Sequence, residues 1–335
     1  MCFRRFSMTL LGALLLCATP CIGQDAPRIA YWSLQAENDL WGSGADRHYT
    51  HGTKFSLAPA REAPEWLKRI GDHVPFFRPG YDRGVEFSIG QNIYTPDDIE
   101  NPNLIMDDRP YAGWLYASFK ILGILEESPD YRESNGFDLT IGVVGPSSLA
   151  DDVQRRWHKL IDTRTPRGWD HQLHDEPGIN LTYTRIWERF GRMGAPWLEY
   201  SVAPHVVGAL GNIYTYAGGG LMLRVGRHLR NDIGPPSISP GFAGTAYFRS
   251  NEAFSAYLFA GVEGRAMLRN IFLDGNTFED SHSVNRKTAV GDFQVGAALR
   301  WRHVRLSFTN VFRSKEFDGQ RKPSEYGAIN LTVLY

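Results

Sequence analysis

The chain is poor in cysteine and in long apolar segments, and these two shortages exclude several classes of protein. Its three cysteines, Cys2, Cys17 and Cys21, all lie close to the N-terminus. No disulfide framework and no cysteine metal site is therefore expected in the rest of the chain. Beyond the N-terminal region, no segment contains 18 consecutive apolar residues. This excludes a helical membrane protein.

Charge is also scarce, whereas aromatic residues and glycine are abundant. Charged residues make up 22% of the chain and the formal net charge is −1, with no basic stripe. Nucleic-acid binding is therefore not expected. The chain has 13% aromatic residues and 34 glycines, an unusual mixture for a soluble α/β enzyme. Besides helices, only closed β-barrels satisfy all their backbone polar groups in lipid.

Residues 1–23 have the features of a secretory signal peptide. Arg4 and Arg5 precede an apolar run over residues 8–16, and small residues follow. The run is too short, and wrongly flanked, for a membrane-spanning helix. We predict that residues 1–23 are removed and that residues 24–335 form one outer-membrane barrel domain.

The remainder alternates between apolar and polar residues with a period of two. Residues 137–143 place Phe, Leu, Ile and Val against Asp, Thr and Gly, and residues 329–335 repeat the pattern up to the final Tyr335. Barrel strands alternate in this way because lipid-facing and lumen-facing side chains take turns. A last strand that ends on an aromatic residue is typical of bacterial outer-membrane barrels. The pattern predicts an all-β fold, a transmembrane antiparallel β-barrel.

The alternating segments number thirteen, one too many for a bacterial barrel with an even number of strands. We therefore expect about 12 strands, with the surplus candidate in the region 177–250. The candidates are residues 28–37, 50–58, 84–92, 111–122, 136–144, 177–187, 196–207, 214–225, 243–250, 253–267, 287–301, 303–313 and 324–334.

Polar residues of the first half gather at one predicted rim. If the first strand rises from the periplasm, the strand ends at Asn38-Asp39 and at 49–53, and the segments 93–110 and 145–176, all lie outside. The strand ends at Asn38-Asp39 and at 49–53 bring together a carboxylate, an amide, hydroxyls and a glycine backbone. The oxygen atoms of such groups suit a hard cation such as Ca²⁺. The alternative is a polar hairpin loop built from turn-forming residues. In segment 93–110, Asp107, Asp108 and Arg109 could pair with each other, in a rigid loop or in a catalytic site.

The segment 145–176 is the longest insertion and is predicted to contain a short extracellular helix over residues 149–162. Ser147 or Ser148 is expected to cap it, with acidic residues in the first turn. Gln154 and His158 are four residues apart and share one face. A histidine is a natural general base for activating water, although a lone histidine on a loop helix is more often a surface residue. His171 and the neighbouring histidine at 174 are weak candidates for zinc.

These motifs, taken in order, resemble the outer-membrane lipid A 3′-O-deacylase (LpxR) family over essentially the whole chain after residue 23. The resemblance rests on Glu-Asn-Asp, Tyr-Thr-x-Gly, Tyr-Thr-Pro, Asp-Arg-Pro-Tyr-Ala-Gly-Trp, Gly-Pro-Ser followed by Gln-x-x-x-His, and Gly-Trp-Asp-x-Gln-Leu. The run Phe-Leu-Asp-Gly-Asn-Thr-Phe at 272–278 is also similar. His51 is a departure, because the family usually has Asn before the glycine.

The resemblance implies a 12-stranded barrel with a calcium-dependent esterase site near the outer leaflet. Asp39 would help to bind Ca²⁺, and Asn38 would lie beside it. His158 would be the general base. The resemblance also assigns the Gly52 backbone amide to the site, where it would stabilise the oxyanion together with the ion, with Thr53 beside it. Gln154 would lie in the same pocket. Asn92 and Glu176 are also assigned to the site, although loop lengths blur the alignment at these two positions.

The predicted function is calcium-dependent hydrolysis of an ester-linked acyl group from the lipid A part of lipopolysaccharide. We expect a monomer in the bacterial outer membrane, with its site facing the outer leaflet and with membrane lipid around it. Three alternatives stay open: a passive channel, a phospholipase-type esterase, and a barrel of the same family without catalysis. No Gly-x-Ser-x-Gly elbow supports a serine nucleophile.

Overall fold

Twelve antiparallel strands close into one barrel in the computed structural model of the chain. The structure describes residues 30–42, 48–59, 81–238, 240–241, 244–249 and 252–335. The predicted signal peptide and its cleavage site lie outside these residues. Each strand pairs with the next along the chain, and the first strand pairs with the last. The prediction of a twelve-stranded transmembrane β-barrel is confirmed.

The strands range from 8 to 17 residues, and all except β1 have at least 10, long enough for tilted strands to cross a bilayer. They are β1 Tyr31–Asn38, β2 His48–Ala58, β3 Asp82–Thr95, β4 Ala112–Ser128, β5 Tyr131–Val144, β6 Glu176–Arg192, β7 Glu199–Gly211, β8 Tyr214–Arg227, β9 Phe254–Asn270, β10 Ala289–Trp301, β11 Val304–Arg313 and β12 Ser324–Leu334. Helix α1 spans Ala150–Leu160 and helix α2 spans Ile271–Asp274. Among the described residues, no helix is long and apolar enough to cross a membrane.

The period-two pattern separates an apolar outer surface from a polar lumen. In β10, Phe293, Val295 and Leu299 are exposed on the outside, whereas Asp292 and Gln294, on the opposite face of the strand, are buried in the lumen. A surface of exposed leucine, isoleucine, valine and phenylalanine side chains is stable against lipid and costly against water. The strands are therefore arranged as a membrane barrel.

Paired charges occupy much of the lumen. The Asp292 carboxylate accepts hydrogen bonds from Arg265 at 2.7 Å and from Arg313 at 2.9 Å. His205 and Glu263 pair at 2.8 Å, and both are buried. Buried charges require partners of this kind, because an isolated ion would lose its hydration without compensation.

The candidate strand at 243–250 is not a strand of the barrel. Its described residues, 244–249, make one isolated bridge, between Phe248 and Asp232. They belong to the connection from β8 to β9. We call the described part of this connection, residues 228–238, 240–241 and 244–249, the lumenal segment.

The lumenal segment enters the barrel and contacts widely separated strands. Arg305 of β11 donates to the Asp232 carboxylate at 2.9 Å, and the Ile238 amide donates to Glu37 of β1 at 3.0 Å. Phe248 is buried beneath Arg305, whose guanidinium lies 5.4 Å from the ring centre. The apolar residues that suggested a thirteenth strand therefore pack inside the lumen instead of pairing in the wall.

Candidate functional site

Five neighbouring strands carry one row of residues near the end of the barrel where β1 ends, which we call the site end. The register aligns Gly327 of β12, Asn38 of β1, His51 of β2, Ile93 of β3 and Gly113 of β4. With about 4.8 Å between strands, this row is about 19 Å wide. We call it the outer row.

The outer row faces away from the lumen. Side chains an even number of residues apart lie on the same face of a strand. Leu34, Phe55 and Ile89 lie four residues from Asn38, His51 and Ile93 respectively, and these three apolar side chains are exposed on the lipid-facing surface. The outer row therefore lies on the same surface as the apolar belt, two side-chain positions away from it.

A β-bulge in β2 places His51 on this surface. The register with β3 shifts between Tyr49 and His51, so that Thr50 is an extra residue. Tyr49 points into the lumen, where its hydroxyl donates to Glu37 at 2.9 Å. Without the bulge, His51 would point into the lumen as well, since the two are two residues apart.

Asn38 holds the bulge to the start of the following turn. Its Nδ2 donates to the Thr50 carbonyl at 3.0 Å, and its Oδ1 accepts from the Leu40 amide at 2.8 Å. The first bond satisfies a carbonyl of the bulged residue, and the second caps the 3₁₀ turn Asp39–Trp41. Asn38 thus fixes the backbone that presents Asp39.

The 3₁₀ turn Asp39–Trp41 bounds the outer row on one side. Trp41 lies over Gly327, where an added Cβ would come within 2.6 Å of the Trp41 Cβ. The Asp39 side chain is buried beside it. No group of three or more His, Cys, Asp or Glu side chains suitable for a metal occurs in the described ranges. The Asp39 carboxylate is a ligand of the kind that a hard cation prefers.

Helix α1 bounds the outer row on the other side, and the start of the helix packs against Gly113. A Cβ at Gly113 would lie 2.0 Å from Ser148 Oγ and 2.3 Å from Ala150 Cβ. Gln91 of β3 donates to the Ser148 carbonyl at 2.6 Å. Ile93 packs in a buried cluster with Ala150, Ile99, Tyr111 and Trp169. The helix therefore begins in direct contact with the outer wall of β3 and β4.

Gln154 and His158 share the buried face of α1, as their spacing predicts. Gln154 Oε1 accepts from Trp169 Nε1 at 2.8 Å, and Gln154 Nε2 is buried with no hydrogen-bond partner in the described part of the chain. His158 Nδ1 lies 2.5 Å from the Arg164 carbonyl. Because a carbonyl only accepts, Nδ1 carries a proton, and in the neutral ring the lone pair is on Nε2. This is the tautomer of a general base.

The start of α1 differs from its prediction. No serine side chain caps it: Leu149 takes a left-handed conformation before the first turn, with φ of 60°. Ser147 Oγ donates to Asp175 at 2.7 Å, and Ser148 Oγ donates to the Gly145 carbonyl at 2.5 Å. Both hydroxyls fasten the loop before the helix, and the capping prediction is wrong.

Thr53 lies next to His51 on the outer surface, and its Oγ1 is 2.6 Å from His51 Nε2. Gly52, between them, faces the lumen. A Cβ there would lie 2.1 Å from the Tyr49 hydroxyl and 2.9 Å from Ile238 Cδ1. Packing inside the barrel is thus sufficient to require glycine. The predicted use of the Gly52 amide as an oxyanion donor stays a prediction.

Two further residues assigned by the resemblance lie apart from the outer row. Asn92 faces the lumen, where its Nδ2 donates to the Tyr94 hydroxyl at 3.3 Å. Glu176 accepts from the Thr277 amide at 2.7 Å and from Asn212 at 2.8 Å, so it ties β6 to the connection after α2. The structure does not bring either residue together with Asn38.

The loop at 107–109 is tied together differently from the side-chain pairing considered above. The Asp108 carboxylate accepts from the backbone amides of Arg109 and Asp97, at 2.8 and 2.7 Å. Burial raises the pKa of Asp108, although these bonds oppose the shift. The Arg109 guanidinium lies 3.7 Å from Glu316 and 5.2 Å from the ring centre of Tyr94. These contacts connect the loop to residue 97 and to Glu316.

Sequence reasoning missed the residues that hold α1 in place. Trp169 orients Gln154 through a hydrogen bond. Gly113 and Gln91 contact the start of the helix. Trp169 and Gly113 lie in motifs that were recognised, but a motif does not reveal which side chains touch. Trp41 follows the Asn38-Asp39 pair directly and carried no signal of its own.

Comparisons with known proteins support this architecture. A family described as "Outer membrane protein LpxR" matches residues 10–335. LpxR from Salmonella typhimurium aligns with a TM-score of 0.72 at 20% identity, covering 91% of this chain and 100% of that one, a likeness that shows the fold. The β domain of the Bordetella autotransporter BrkA aligns with a TM-score of 0.47 at 9% identity, covering 92% and 100%. No curated protein sequence matches. The chain belongs to the outer membrane protein LpxR family.

Proposed function

We propose that the protein hydrolyses an ester-linked acyl group of lipid A, the membrane anchor of lipopolysaccharide. The observation that carries this proposal is the position of the outer row. Its polar side chains share a surface with the lipid-facing belt of Leu34, Phe55 and Ile89 and lie two side-chain positions from it. An acyl chain could follow the apolar wall while its ester lies among polar groups. Membership of the LpxR family supports the same substrate.

The chemistry of the buried polar groups suits ester hydrolysis. His158, with its lone pair on Nε2, would take a proton from water as the oxygen attacks the ester carbonyl carbon. The tetrahedral intermediate then collapses, the bond to the alkoxy oxygen breaks, and the alcohol receives the proton. The unpartnered Gln154 Nε2 could donate to the substrate. Thr53 and the Gly52 amide are proposed beside the developing oxyanion.

We propose Ca²⁺ as the cofactor and Asp39 as its carboxylate ligand. When bound, a hard cation at this position would polarise the ester carbonyl without any proton transfer. Asn38 has a positioning role in this scheme, since its amide is already engaged with the Thr50 carbonyl and the Leu40 amide. Removal of Ca²⁺ by a chelator is expected to abolish hydrolysis, and Ca²⁺ is expected to restore it.

The site end is proposed to face the outside of the cell, with the active site at the level of the outer leaflet. The connections at this end include the 31-residue stretch that contains α1, between β5 and β6. Long loops are usual on the extracellular side of outer-membrane barrels. The protein is proposed to act as a monomer, because every strand edge in the closed barrel is already paired.

The alternatives gain less support from the described residues. A passive channel needs an open lumen, whereas the lumenal segment and buried ion pairs lie inside this one. A serine esterase needs a free nucleophile beside a base. Ser148, at the start of α1, is buried and donates to the Gly145 carbonyl.

Mass spectrometry of lipid A tests the proposal. The protein is expressed in an outer membrane, and lipid A is analysed with and without Ca²⁺, beside a His158→Ala variant. A calcium-dependent mass loss that corresponds to an acyl or acyloxyacyl group, absent in the variant, is the expected result. Unchanged lipid A with a folded barrel and Ca²⁺ supplied would overturn the proposal.

A further inference from the structure

Helix α1 departs from the usual distribution of side chains. Its buried face carries Gln154 and His158, both polar, together with the small Ala150. Val153, Trp157 and Leu160 are exposed by 39%, 44% and 76%. A helix on the surface of a soluble protein buries its apolar side chains and exposes its polar ones. In helix α1, by contrast, the large apolar side chains are exposed.

The exposed apolar residues form one flank of the helix. At about 100° per residue, Val153, Trp157 and Leu160 lie within a sector of about 60°. The buried face lies on one side of this sector. Asp151, Arg155 and Lys159 form a second flank, beyond the buried face. The helix thus has three sides: a polar side against the wall, an apolar flank, and a charged flank.

The charged flank is arranged for contact with water. Arg155 and Asp151 form an ion pair one turn apart, with both side chains substantially exposed. Lys159 continues the flank and is exposed. The apolar flank carries no charged residue at these three positions, so in water it would be a continuous unfavourable patch.

The wall beneath α1 indicates what covers the apolar flank. Helix α1 contacts β3 and β4. On β3, Phe87 and Ile89 are exposed by 51% and 57% on the lipid-facing surface, in the same strand as Ile93, which packs against the start of the helix. The helix is therefore next to a lipid-facing apolar surface, and the occupant that suits an exposed apolar flank beside such a surface is membrane lipid.

We propose that α1 is an interfacial helix whose apolar flank, Val153, Trp157 and Leu160, inserts among the acyl chains of the surrounding membrane lipid. Lipid then covers side chains that water would not tolerate, and the charged flank remains hydrated, as in helices that lie in a membrane interface. The lipid presses the opposite face, with Gln154 and His158, towards the wall. This docking does not require hydrolysis, so it stands or falls independently of the proposed function.

Site-directed spin labelling tests the proposal, and the absence of cysteine after residue 21 makes it practicable. Val153→Cys and Leu160→Cys are compared with the matched variants Arg155→Cys and Lys159→Cys on the charged flank. Ile141→Cys, on the exposed lipid-facing surface of β5, is the lipid reference. Each variant is prepared as residues 24–335, which contain no other cysteine, folded into phosphatidylcholine vesicles, labelled with a nitroxide, and checked by heat-modifiable gel mobility. Accessibility to oxygen and to a water-soluble nickel chelate is then measured.

The expected result is a high ratio of oxygen to nickel accessibility at positions 153 and 160, similar to the ratio at Ile141, and a low ratio at 155 and 159. Equal and low ratios at all four helix positions would overturn the proposal, because they would place both flanks in water. Since the readout does not involve hydrolysis, failure of lipid A deacylation would leave this result unaffected, and the converse also holds.

Discussion

At the scale of single residues, the backbone decides which side chains the site contains. The bulge at Thr50 turns His51 and Thr53 outward. The Asn38 amide holds the bulge in place by donating a hydrogen bond to the Thr50 carbonyl. The Arg164 carbonyl sets the tautomer of His158. Polar groups that are fixed in this way need no reorganisation when a substrate binds. Such preorganised groups stabilise the charge that develops in a transition state.

Replacement of His158 by alanine is expected to lower the rate of deacylation by roughly 10²–10⁴, the usual contribution of a general base. His171→Ala is the matched control, because His171 is an exposed histidine in the same connection. Rates are measured on purified lipid A, and folding is followed by heat-modifiable mobility. Equal rates for the two folded variants would remove His158 from the mechanism.

Asp39→Ala is expected to lower the rate by roughly 10²–10³, the typical loss when one group that stabilises the oxyanion is removed. If Asp39 acts through the cation, the Ca²⁺ concentration for half-maximal activity should also rise. Asp170→Ala, at an exposed aspartate between β5 and β6, serves as control. An unchanged Ca²⁺ dependence in Asp39→Ala would show that this carboxylate does not bind the ion.

At the scale of elements, the proposed site lies between one 3₁₀ turn and one helix, each of which packs against a glycine of the barrel wall. Gly327 admits Trp41 on β12, and Gly113 admits Ser148 and Ala150 on β4. A side chain at either glycine would occupy the space of the element above it. Helix α1 can approach the wall this closely because Gly113 has no side chain.

Gly113→Ala is expected to displace α1 and to lower the rate of deacylation by roughly 10²-fold, because displacements of about 1 Å can cost this much. The added Cβ would lie 2.0 Å from Ser148 Oγ, so the loop must move. The control is Gly264→Ala in β9, where no atom lies within 4 Å of the added Cβ. A folded Gly113→Ala barrel with full activity would contradict this seating of the helix.

At the scale of the whole molecule, buried ion pairs join the lumenal segment to the wall. Burial opposes ionisation of Asp232, but the neighbouring Arg305 and Arg224 outweigh it and hold the pKa of this carboxyl below its usual value. The same aspartate lies at the one described bridge of the segment, opposite Phe248. Loss of its charge would remove the anionic partner that Arg305 contacts at 2.9 Å, whereas Arg224 would keep its pair with Glu188.

Asp232→Ala is expected to destabilise the folded protein by roughly 3–5 kcal/mol, the typical cost of breaking a buried ion pair. It should also increase conductance in planar bilayers by loosening the lumenal segment. Asp130→Ala is the control, since its pair with Arg230 is exposed and such pairs contribute little. Urea unfolding and conductance provide the two measurements. Indistinguishable variants would show that the lumen is closed by other contacts.

The pH dependence of stability follows from the same carboxyl group. Because folding lowers the pKa of Asp232, its contribution is complete well above the usual value of 3.8 and is lost as the pH falls through the lowered pKa. The stability of the wild type in urea should therefore decrease below about pH 3.8, and this decrease should be smaller in Asp232→Ala. Equal decreases in both proteins would assign the acid sensitivity to other carboxylates.

The sequence by itself determined the barrel and one face of the site helix. Alternation of period two requires a strand with two unlike faces, and residues four apart on a helix must share a side, as Gln154 and His158 do. Both patterns are local, so they can be recognised before any long-range contact is known. The order of the motifs also located the polar end of the barrel.

Only the tertiary structure decided which face of the wall each polar residue occupies and what fills the lumen. One bulged residue switches every later side chain of its strand to the opposite side of the sheet. The spacing of residues in the sequence therefore could not predict that Thr53 points outward and that Asn92 points into the lumen. Residues 243–250 alternate like a strand in the sequence, yet every neighbouring strand edge is already paired, and the described residues 244–249 pack inside instead. Closure of the sheet is a property of the whole chain, and it leaves no edge for a thirteenth strand.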